Sequence, residues 1–260
     1  MADTLKLVPG VGMADGAVQA ALPPAPAVLV CTPSLSGTPC IEYQVSLMET
    51  ITRCLQMGIV VDAAFVRGDC FIGKARNNLI MQAIARKAEN IFFIDDDQGW
   101  DTQAFIRMVL DSHEIVAGAV PKKMDEVTFN NCDLVTDEAK NCTIDQGLMK
   151  VRTVGTGFMR IKKSALDKYI AAYPTTYNPG DGSQPLHHLV FEPGGKILDG
   201  QFWGEDLVFC KAWEKIGGEM WIDPNVNFSH VGRKAWTGNF LEYLKANCKV
   251  EFAAPVAVAA

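Results

Sequence analysis

Four apolar residues lead directly into three aspartates in Ile91-Phe92-Phe93-Ile94-Asp95-Asp96-Asp97. Short apolar runs of this kind are typical of strands that are buried on both faces of a sheet. Three adjacent carboxylates repel one another, so the cluster is costly unless a cation or a basic group lies close to it. We therefore expect a buried strand over 91–94 whose carboxyl end carries an acidic site.

Strands and helices alternate on both sides of this stretch. Short apolar runs predict strands at 27–31, 60–66 and 115–120. Apolar residues at helical spacing predict helices between them. These are 40–57 with the stripe Ile41, Val45, Met48 and Leu55, 75–88 with the stripe Leu79, Ile80, Ala83 and Ile84, and 102–111. Strands separated by helices of this length predict βαβ units and a mostly parallel sheet.

The sequence beyond residue 121 has a more mixed pattern. Residues 122–150 are polar and aperiodic, and 173–200 form a Pro/Gly-rich segment that predicts a long loop. The remaining predicted elements are strands at 153–161, 220–222 and 226–230, and helices at 163–171 and 205–216.

These elements predict one domain over 27–252. Within it we expect a nucleotide-binding half at 27–121 and a second half at 122–252. The Ala, Pro and Gly-rich residues 1–26 are expected to be a flexible leader, and 253–260 a loose tail.

Composition narrows the class of protein. The chain has 260 residues, of which 48% are hydrophobic, which supports a sizeable core. Its net charge of −6 gives no electrostatic reason to expect a nucleic acid or an anionic membrane as partner. No secretory signal opens the sequence and no apolar stretch approaches about 18 residues, which predicts a cytoplasmic protein, in the host cell if a virus encodes it. Most of the eight cysteines are expected to be reduced, while pairing of Cys132 with Cys142 stays open.

Asp95, Asp96 and Asp97 are the strongest candidates for a functional site. In open α/β sheets, ligands bind at the carboxyl ends of the strands. Mg²⁺ and Mn²⁺ take oxygen ligands and usually hold phosphate oxygens as well. The cluster therefore predicts a site for a divalent cation and a diphosphate. The structural alternative is an acidic turn in which Asp101 caps the next helix.

Four further places are candidates, each with a structural alternative. Glu205 and Asp206 open a helix, where they either complement its dipole or supply a general base. His230 is either a structural residue or a metal ligand. Arg76 begins a helix beside the aspartate strand and either pairs with an aspartate or a phosphate or is solvated. The glycines of Gly155-Thr156-Gly157 permit close approach of the backbone or mark a bend.

In this order, the motifs resemble those of the GT-A glycosyltransferases, in particular short stand-alone forms found in bacteriophages and large viruses. The similarity runs from about Ala27 to Trp236. The matching segments are Ala75-Arg76-Asn77, Phe93 to Asp97, Val116 to Lys123, Gly155 to Met159, Gly204-Glu205-Asp206, and Asp223-Pro224 to His230-Val231-Gly232. One such motif is weakly specific, whereas six in register are specific. The resemblance implies a GT-A-like, Rossmann-like α/β domain with helices flanking the central sheet, in which 122–252 is the acceptor half.

Carried over position by position, the resemblance assigns roles. It makes Asp95-Asp96-Asp97 a DxD motif that binds Mn²⁺ or Mg²⁺ through Asp95 and Asp97, with His230 completing the metal site. It implies catalytic roles for Asp206, as base, and for Glu205 beside it. The residues that it places at the donor are Thr32, Pro33, Arg76, Asp95, Asp96 and Trp203.

The implied activity is metal-dependent transfer of a sugar from a nucleotide-diphosphate sugar, with a UDP-sugar favoured, to an acceptor hydroxyl. The acceptor stays open between a glycan, a protein, a small molecule and a modified DNA base, as do the sugar, the stereochemistry and the oligomeric state. One alternative is a sugar nucleotidyltransferase, although the segment 32–39 lacks the basic residue usual after the first strand of such enzymes. The other is a non-catalytic nucleotide-sugar or carbohydrate-binding domain, which the intact acidic residues and His230 disfavour.

Overall fold

The computed structural model describes residues 27–252, apart from 130–131, 139–140, 181–184 and 233. The predicted leader and tail lie outside the described residues. No helix in the described part is long and apolar enough to cross a membrane. All eight cysteines lie within it and are free thiols, so Cys132 and Cys142 are not bridged.

Helices and strands alternate through the first half of the described chain, and short strands dominate the second. The helices are α1 (Ile41–Gln56), α2 (Ile72–Ala85), α3 (Thr102–Leu110), α4 (Lys163–Ala172), α5 (Glu205–Lys215) and α6 (Phe240–Asn247). The strands are β1 (Val28–Ser34), β2 (Val61–Arg67), β3 (Asn90–Ile94), β4 (Gln98–Trp100), β5 (Ile115–Gly118), β6 (Asp133–Leu134), β7 (Cys142–Ile144), β8 (Met149–Thr153), β9 (Phe158–Lys162), β10 (Thr176–Tyr177), β11 (His187–His188), β12 (Lys196–Leu198), β13 (Gln201–Trp203), β14 (Met220–Asp223), β15 (Asn227–Val231), β16 (Ala235–Asn239) and β17 (Val250–Phe252).

The central sheet has eight strands in the order β2-β1-β3-β9-β5-β14-β8-β6. β1 pairs in parallel with β2 and β3, and β5 pairs in parallel with β14. β9 is antiparallel to its neighbours β3 and β5, and β8 is antiparallel to β14 and β6. All strands of the sheet except β8 and β9 therefore run in one direction, which confirms the expected α/β class with a mostly parallel central sheet. Strands from both sides of residue 121 alternate within this one sheet.

The sheet is covered by helices on both faces. In β3, Ile91 and Phe93 belong to an apolar core shared with α2, α4 and α5, whereas Phe92 and Ile94 belong to a second core shared with α1 and α3. Successive side chains of a strand point to opposite faces. A strand covered on both faces therefore needs a continuous apolar run, which is why 91–94 is recognisable as a strand.

The prediction of which face α1 buries was wrong. The four apolar residues of its predicted stripe are 58–75% exposed, namely Ile41, Val45, Met48 and Leu55. The buried face of α1 consists of Tyr43, Ser46, Thr50 and Cys54. The hydroxyl oxygen of Ser46 accepts from the Trp100 backbone N–H, and that of Thr50 accepts from the Trp100 indole N–H, both at 3.0 Å. Small hydroxyl residues face β4 because they satisfy both N–H donors of Trp100.

The single strand predicted over 153–161 was also wrong. The chain leaves β8 at Thr153 and enters β9 at Phe158, and residues 154–157 connect the two strands. Glycines at 155 and 157 interrupt a run that otherwise has strand composition. The strands β4, β6, β7, β10 to β13, β16 and β17 and the helix α6 were not predicted. Each of these strands has five residues or fewer, and β4 and β17 also pair with strands that lie far away in the chain.

A buried asparagine anchors the long Pro/Gly-rich segment to α2. The side-chain oxygen of Asn77 accepts from the backbone N–H groups of Val190 and Phe191, at 3.2 and 2.8 Å, and its amide donates to the Phe191 carbonyl at 2.7 Å. Within the described parts of 173–200, β10 pairs with β11, and β12 pairs with β13, which lies just after the segment. Parts of this segment are therefore ordered by backbone pairing and by Asn77.

Arg160 in β9 links the end of α3 to the central sheet by hydrogen bonds. Its side chain is fully buried and donates to the backbone carbonyls of Met108, Asp111, His113 and Glu114, at 2.6–3.2 Å. Burial lowers the pKa of Arg160 to about 10. The guanidinium satisfies the carbonyls where the chain leaves α3 for β5.

We predict that Arg160→Leu lowers the free energy of unfolding by about 3 kcal/mol, because several buried carbonyls lose their donor. Urea unfolding followed by circular dichroism measures the change. Arg152→Leu is the matched control, because the Arg152 side chain is 48% exposed and forms only a long ion pair, with 3.5 Å between its Nη1 and Asp133 Oδ1. The control is expected to cost less than about 0.5 kcal/mol. Equal losses in the two variants would contradict the role given to Arg160.

Candidate active site

The three aspartates at the end of β3 turn to different partners. Asp95 Oδ1 accepts from Arg76 Nη2 at 3.2 Å. Asp96 Oδ2 accepts from the hydroxyl of Ser34 at the end of β1. Asp97 is contacted by Lys123 and His230. The mutual repulsion of the three carboxylates is thus relieved by separate partners.

The helix cap proposed as a structural alternative does exist. Asp101 Oδ1 accepts from the backbone N–H of Ala104 at 2.7 Å, which caps α3. The contacts of the three aspartates are with other parts of the chain. Capping therefore accounts for Asp101 and leaves the acidic cluster to be explained.

Asp97 lies between a histidine and a lysine. His230 Nε2 is 3.4 Å from Asp97 Oδ1, and Lys123 Nζ is 2.5 Å from Asp97 Oδ2. His230 Nδ1 lies 2.7 Å from the Pro121 carbonyl, which can only accept, so Nδ1 carries a proton and Nε2 faces the carboxylate. Burial by itself raises the pKa of Asp97, but His230 and Lys123 outweigh it and hold the pKa below its ordinary value. Asp97 is therefore ionised at neutral pH.

The pair of Asp97 and His230 fits a divalent cation. Asp97 Oδ1 is buried and makes no hydrogen bond with the described residues, although His230 Nε2 approaches it to 3.4 Å. An imidazole whose other N–H is held by a carbonyl is the usual arrangement of a metal-binding histidine. No group of three or more His, Cys, Asp and Glu that could hold a metal occurs in the described part of the chain. Mg²⁺ and ions like it are commonly held by one or two protein groups together with phosphates and water. Asp95, predicted as a further ligand, is paired with Arg76.

Arg76 links the acidic cluster to the start of α5. Its side chain is 3% exposed, and it forms ion pairs with Asp95 at 3.2 Å and with Glu205. Burial raises the pKa of both carboxyls, and the charge of Arg76 opposes this rise. The predicted pairing of Arg76 with an aspartate is thus present, and a second carboxylate joins it.

Asp206 lies in the first turn of α5, after the N-cap residue Gly204. Asp206 Oδ1 accepts from the backbone N–H of Leu207 at 2.8 Å, and the helix dipole favours its negative charge. Asp206 also lines the cavity described next, so the structural and functional interpretations of this carboxylate are compatible.

A cavity of about 150 Å³ lies where these groups meet. The predicted site residues that line it come from separate elements and are Arg76, Asp95, Asp206 and His230. The uncharged lining residues are Gln98, Gly118, Val120, Val154, Gly155, Thr156 and Gly157. The structure therefore brings together two carboxylates, a guanidinium and an imidazole from four segments that are separate in the sequence.

Four predicted donor residues do not line this cavity, namely Thr32, Pro33, Asp96 and Trp203. Thr32 and Pro33 are buried within β1, and the hydroxyl of Thr32 is 2.5 Å from that of Tyr43. Trp203 lies in β13, where the ammonium group of Lys211 lies 4.0 Å from the centre of its ring. Their contact with a donor stays a prediction.

Gln98, Lys123 and Thr156 were not among the predicted site residues. Gln98 reaches the site because β4 pairs with β15, which sets it opposite His230. No pattern in the local sequence predicts that pairing. For Thr156 the available sequence signal was the pair of flanking glycines. For Lys123 the signal was its place at the end of the segment Val116 to Lys123.

Comparison with known proteins gives similarity at the level of structure. No protein-family model matches the chain, and no curated protein matches it. A197 from STIV is 15% identical, with a TM-score of 0.46 over 79% of this chain and 85% of that chain. GalNAc-T7 with UDP, GalNAc and Mn²⁺ is 11% identical, with a TM-score of 0.43 over 81% of this chain and 45% of that chain. The inositol-1-phosphate CTP transferase from T. maritima is 9% identical, with a TM-score of 0.42 over 80% and 89%. The structures that this chain resembles include glycosyltransferases. At these identities the likeness concerns the fold alone.

We predict that Arg76→Met destabilises the protein more at about pH 7.5 than at about pH 4.5. Without the guanidinium, Asp95 and Glu205 are unpaired, and their already raised pKa values rise further. The folded variant then binds more protons than the unfolded chain, so its stability falls as pH rises from about 4 through the raised pKa values. Urea unfolding at both pH values measures the difference.

Arg86→Met is the control for this experiment. Arg86 pairs with Asp62 at 2.7 Å, and both side chains are well exposed, at 37% and 50%. Its loss is expected to be small at both pH values. A pH-independent loss for Arg76→Met would show that the two carboxyls are not coupled to it.

Proposed function

We propose that this protein is a glycosyltransferase that moves a sugar from a nucleoside-diphosphate sugar to an acceptor hydroxyl, with a divalent cation as cofactor. The observation that carries the proposal is the cavity at the strand ends, which Asp95, Asp206, Arg76 and His230 line together. It lies beside Asp97, whose buried oxygen lacks a hydrogen-bond partner in the described chain. A UDP-sugar is the favoured donor, on the resemblance of the sequence motifs.

In this proposal Asp97 and His230 hold Mn²⁺ or Mg²⁺. Such an ion, when bound, stabilises the negative charge that develops on the departing diphosphate. Lys123 pairs with Asp97 at 2.5 Å and is a second cation close to that charge. Asp95, fixed by Arg76, faces the cavity and positions the sugar or the ribose.

Asp206 is the proposed general base. As the acceptor oxygen forms its bond to the anomeric carbon, the hydroxyl proton passes to the Asp206 carboxylate. The bond between the anomeric carbon and the phosphate oxygen breaks, and the nucleoside diphosphate leaves with that electron pair. Glu205 is held by Arg76 and serves to position this helix start, rather than to accept the proton.

The proposal specifies the acceptor only as a molecule with a free hydroxyl group. A glycan, a protein, a small molecule and a modified DNA base all offer a hydroxyl. The net charge of −6 is mildly unfavourable to DNA.

A sugar nucleotidyltransferase is the second candidate, and one observation favours it. The side chain of Arg67 packs against Gly37, where an added Cβ would meet Arg67 Cδ at 2.5 Å. The loop after β1, which has no basic residue of its own, is thus covered by one from β2. Incubation with a nucleoside triphosphate and a sugar 1-phosphate tests this candidate through release of pyrophosphate.

A panel of nucleotide sugars tests the main proposal. UDP-glucose, UDP-galactose, UDP-N-acetylglucosamine and GDP-mannose are each added with MnCl₂, and hydrolysis and the melting temperature are measured. A donor that binds the folded state raises the melting temperature. Binding with neither hydrolysis nor transfer would favour the non-catalytic alternative, and no binding at all would refute both.

We predict that Asp97→Ala lowers metal-dependent turnover of the donor by about 100-fold or more, because the ion loses its carboxylate. The protein should stay folded by circular dichroism. Asp101→Ala is the control: it removes the cap of α3, at a cost of about 1 kcal/mol in stability, and keeps turnover. Wild-type turnover in Asp97→Ala would refute the cation site.

We predict that Asp206→Asn lowers kcat by about 100-fold or more and changes the Kd of the nucleoside diphosphate by less than about threefold, since a base acts in the chemical step. Calorimetry with UDP and steady-state kinetics separate the two effects. Parallel losses in binding and turnover would instead give Asp206 a role in holding the donor.

A further inference from the structure

Helix α1 turns small polar side chains to the protein and large apolar side chains to the solvent. A helix on a protein surface normally has the reverse arrangement, with its apolar stripe on the core. The outward stripe consists of four residues that are 58–75% exposed in the single chain, namely Ile41, Val45, Met48 and Leu55. Apolar patches of this kind mark contacts with other proteins or with membranes. Helices that lie on membranes are rich in Lys and Arg, whereas the residues beside this stripe include Glu42 and Glu49. The stripe therefore indicates a protein partner.

The spacing of the stripe is that of a coiled-coil seam. With Thr52 included, its five positions follow one another at intervals of four, three, four and three residues. This is the heptad pattern, in which the a and d positions pack against a second helix. Val45 and Thr52 occupy the a positions, and the other three residues occupy the d positions. Both a residues are β-branched, while Met48 and Leu55 at d are not, which is the combination typical of parallel two-stranded coiled coils.

The seam is ready to pair as it stands. The hydroxyl of Thr52 donates to the Met48 carbonyl at 2.8 Å, so the one polar residue of the seam has its hydrogen bond within the helix. On the opposite face, Ser46 and Thr50 accept from Trp100 and hold the orientation of α1. A helix that is already formed and fixed loses little conformational entropy on binding. The surface that α1 offers is therefore preorganised.

The residues that flank the seam favour a parallel pair of identical helices. Glu42 and Glu49 are at e positions, and Gln44 is at a g position. In a parallel pair, an e position lies beside a g position of the other helix, so Glu49 faces Gln44 of the second copy and accepts from its amide. In an antiparallel pair, e positions lie beside e positions, and glutamates of the two copies would face each other. Like charges placed opposite each other disfavour that arrangement.

We propose that α1 pairs in parallel with α1 of a second copy of this chain, about a two-fold axis along the two helices. The helix has 16 residues and is therefore about 24 Å long. One such helix face covers less than the roughly 800 Å² per partner of a standard interface. The dimer is therefore expected to be weak, with a Kd of about 10–100 µM.

The parallel arrangement fixes where the two candidate active sites lie. Helix α1 begins beside the acidic cluster, since the backbone N–H of Cys40 donates to the Asp96 carbonyl at 2.9 Å. In a parallel pair both helices begin at the same end, so the two sites lie at one end of the dimer. An antiparallel pair would place them at opposite ends. The pairing itself does not depend on which reaction the site performs.

Sedimentation velocity of the full chain over about 1–200 µM measures the pairing, because this range spans the expected Kd. The wild type should change from monomer to dimer across it. A monomer at every concentration would overturn the proposal.

Met48→Glu places two like charges at the centre of the seam. We predict that it weakens dimerisation at least about tenfold. The melting temperature of the dilute variant should equal that of the wild type, because Met48 is 69% exposed in the single chain. Met124→Glu is the matched control, since Met124 is 51% exposed and lies outside α1, and it should dimerise like the wild type. Equal weakening in both variants would attribute the effect to net charge and overturn the seam.

Leu55→Cys distinguishes the two orientations. The exposed Cys70 and Cys248 are first replaced by serine. In a parallel pair the two introduced thiols face each other, within the roughly 4.4–6.8 Å between Cα atoms that a disulfide requires, so mild oxidation should yield a cross-linked dimer. In an antiparallel pair they would be about 15 Å or more apart. Arg53→Cys is the control: Arg53 is exposed on α1 but lies off the stripe, so it should not cross-link.

Two further outcomes would also overturn the proposal. A dimer that survives Met48→Glu, or one that forms without cross-linking of Leu55→Cys, does not use a parallel α1 seam. A monomeric wild type together with a lowered melting temperature of Met48→Glu would show that the stripe is covered within one chain.

Discussion

The guanidinium of Arg76 is buried between two carboxylates that belong to distant parts of the chain. Asp95 and Glu205 lie where burial raises their pKa values, and the shared positive charge opposes this rise. Removing one partner from such a group leaves a charge with no compensation, which costs far more than a surface ion pair is worth. The pairing therefore holds the end of β3 beside the start of α5. The candidate active site lies between these two elements, so its shape depends on Arg76.

The three carboxylates of the acidic cluster make different contacts, which a single carboxylate could not make at once. Asp96 accepts from Ser34 at the end of β1, Asp95 is held by Arg76 at the cavity, and Asp97 faces His230 and Lys123. Adjacent residues reach different partners because the chain leaves the strand at this point and successive side chains point apart. Asp97 and His230, the proposed cation ligands, thus lie next to a polar cavity, as the proposed transfer from a nucleotide sugar requires.

Much of the first half was predictable, because strands covered on both faces have continuous apolar runs and β3 ends in an unmistakable charge cluster. The buried face of α1 was not predictable. Ser46 and Thr50 are buried because Trp100 offers two donors to them, whereas the apolar stripe lies in solvent. The break between β8 and β9 was missed because the residues on both sides of Gly155-Thr156-Gly157 have strand composition, and these three residues line the cavity between the two strands.

The sequence by itself determined the α/β class, the position of the acidic cluster at a strand end, and the identities of Arg76, Asp206 and His230 as candidates. These follow from local apolar periodicity and from the electrostatic cost of adjacent charges, which are properties of short segments. Tertiary structure alone decided that Gln98 lies opposite His230, that Arg76 has two carboxylate partners, and that Thr156 lines the cavity. Strand pairing and burial between segments far apart in the chain produce these contacts, and no short segment contains the information about its distant partner.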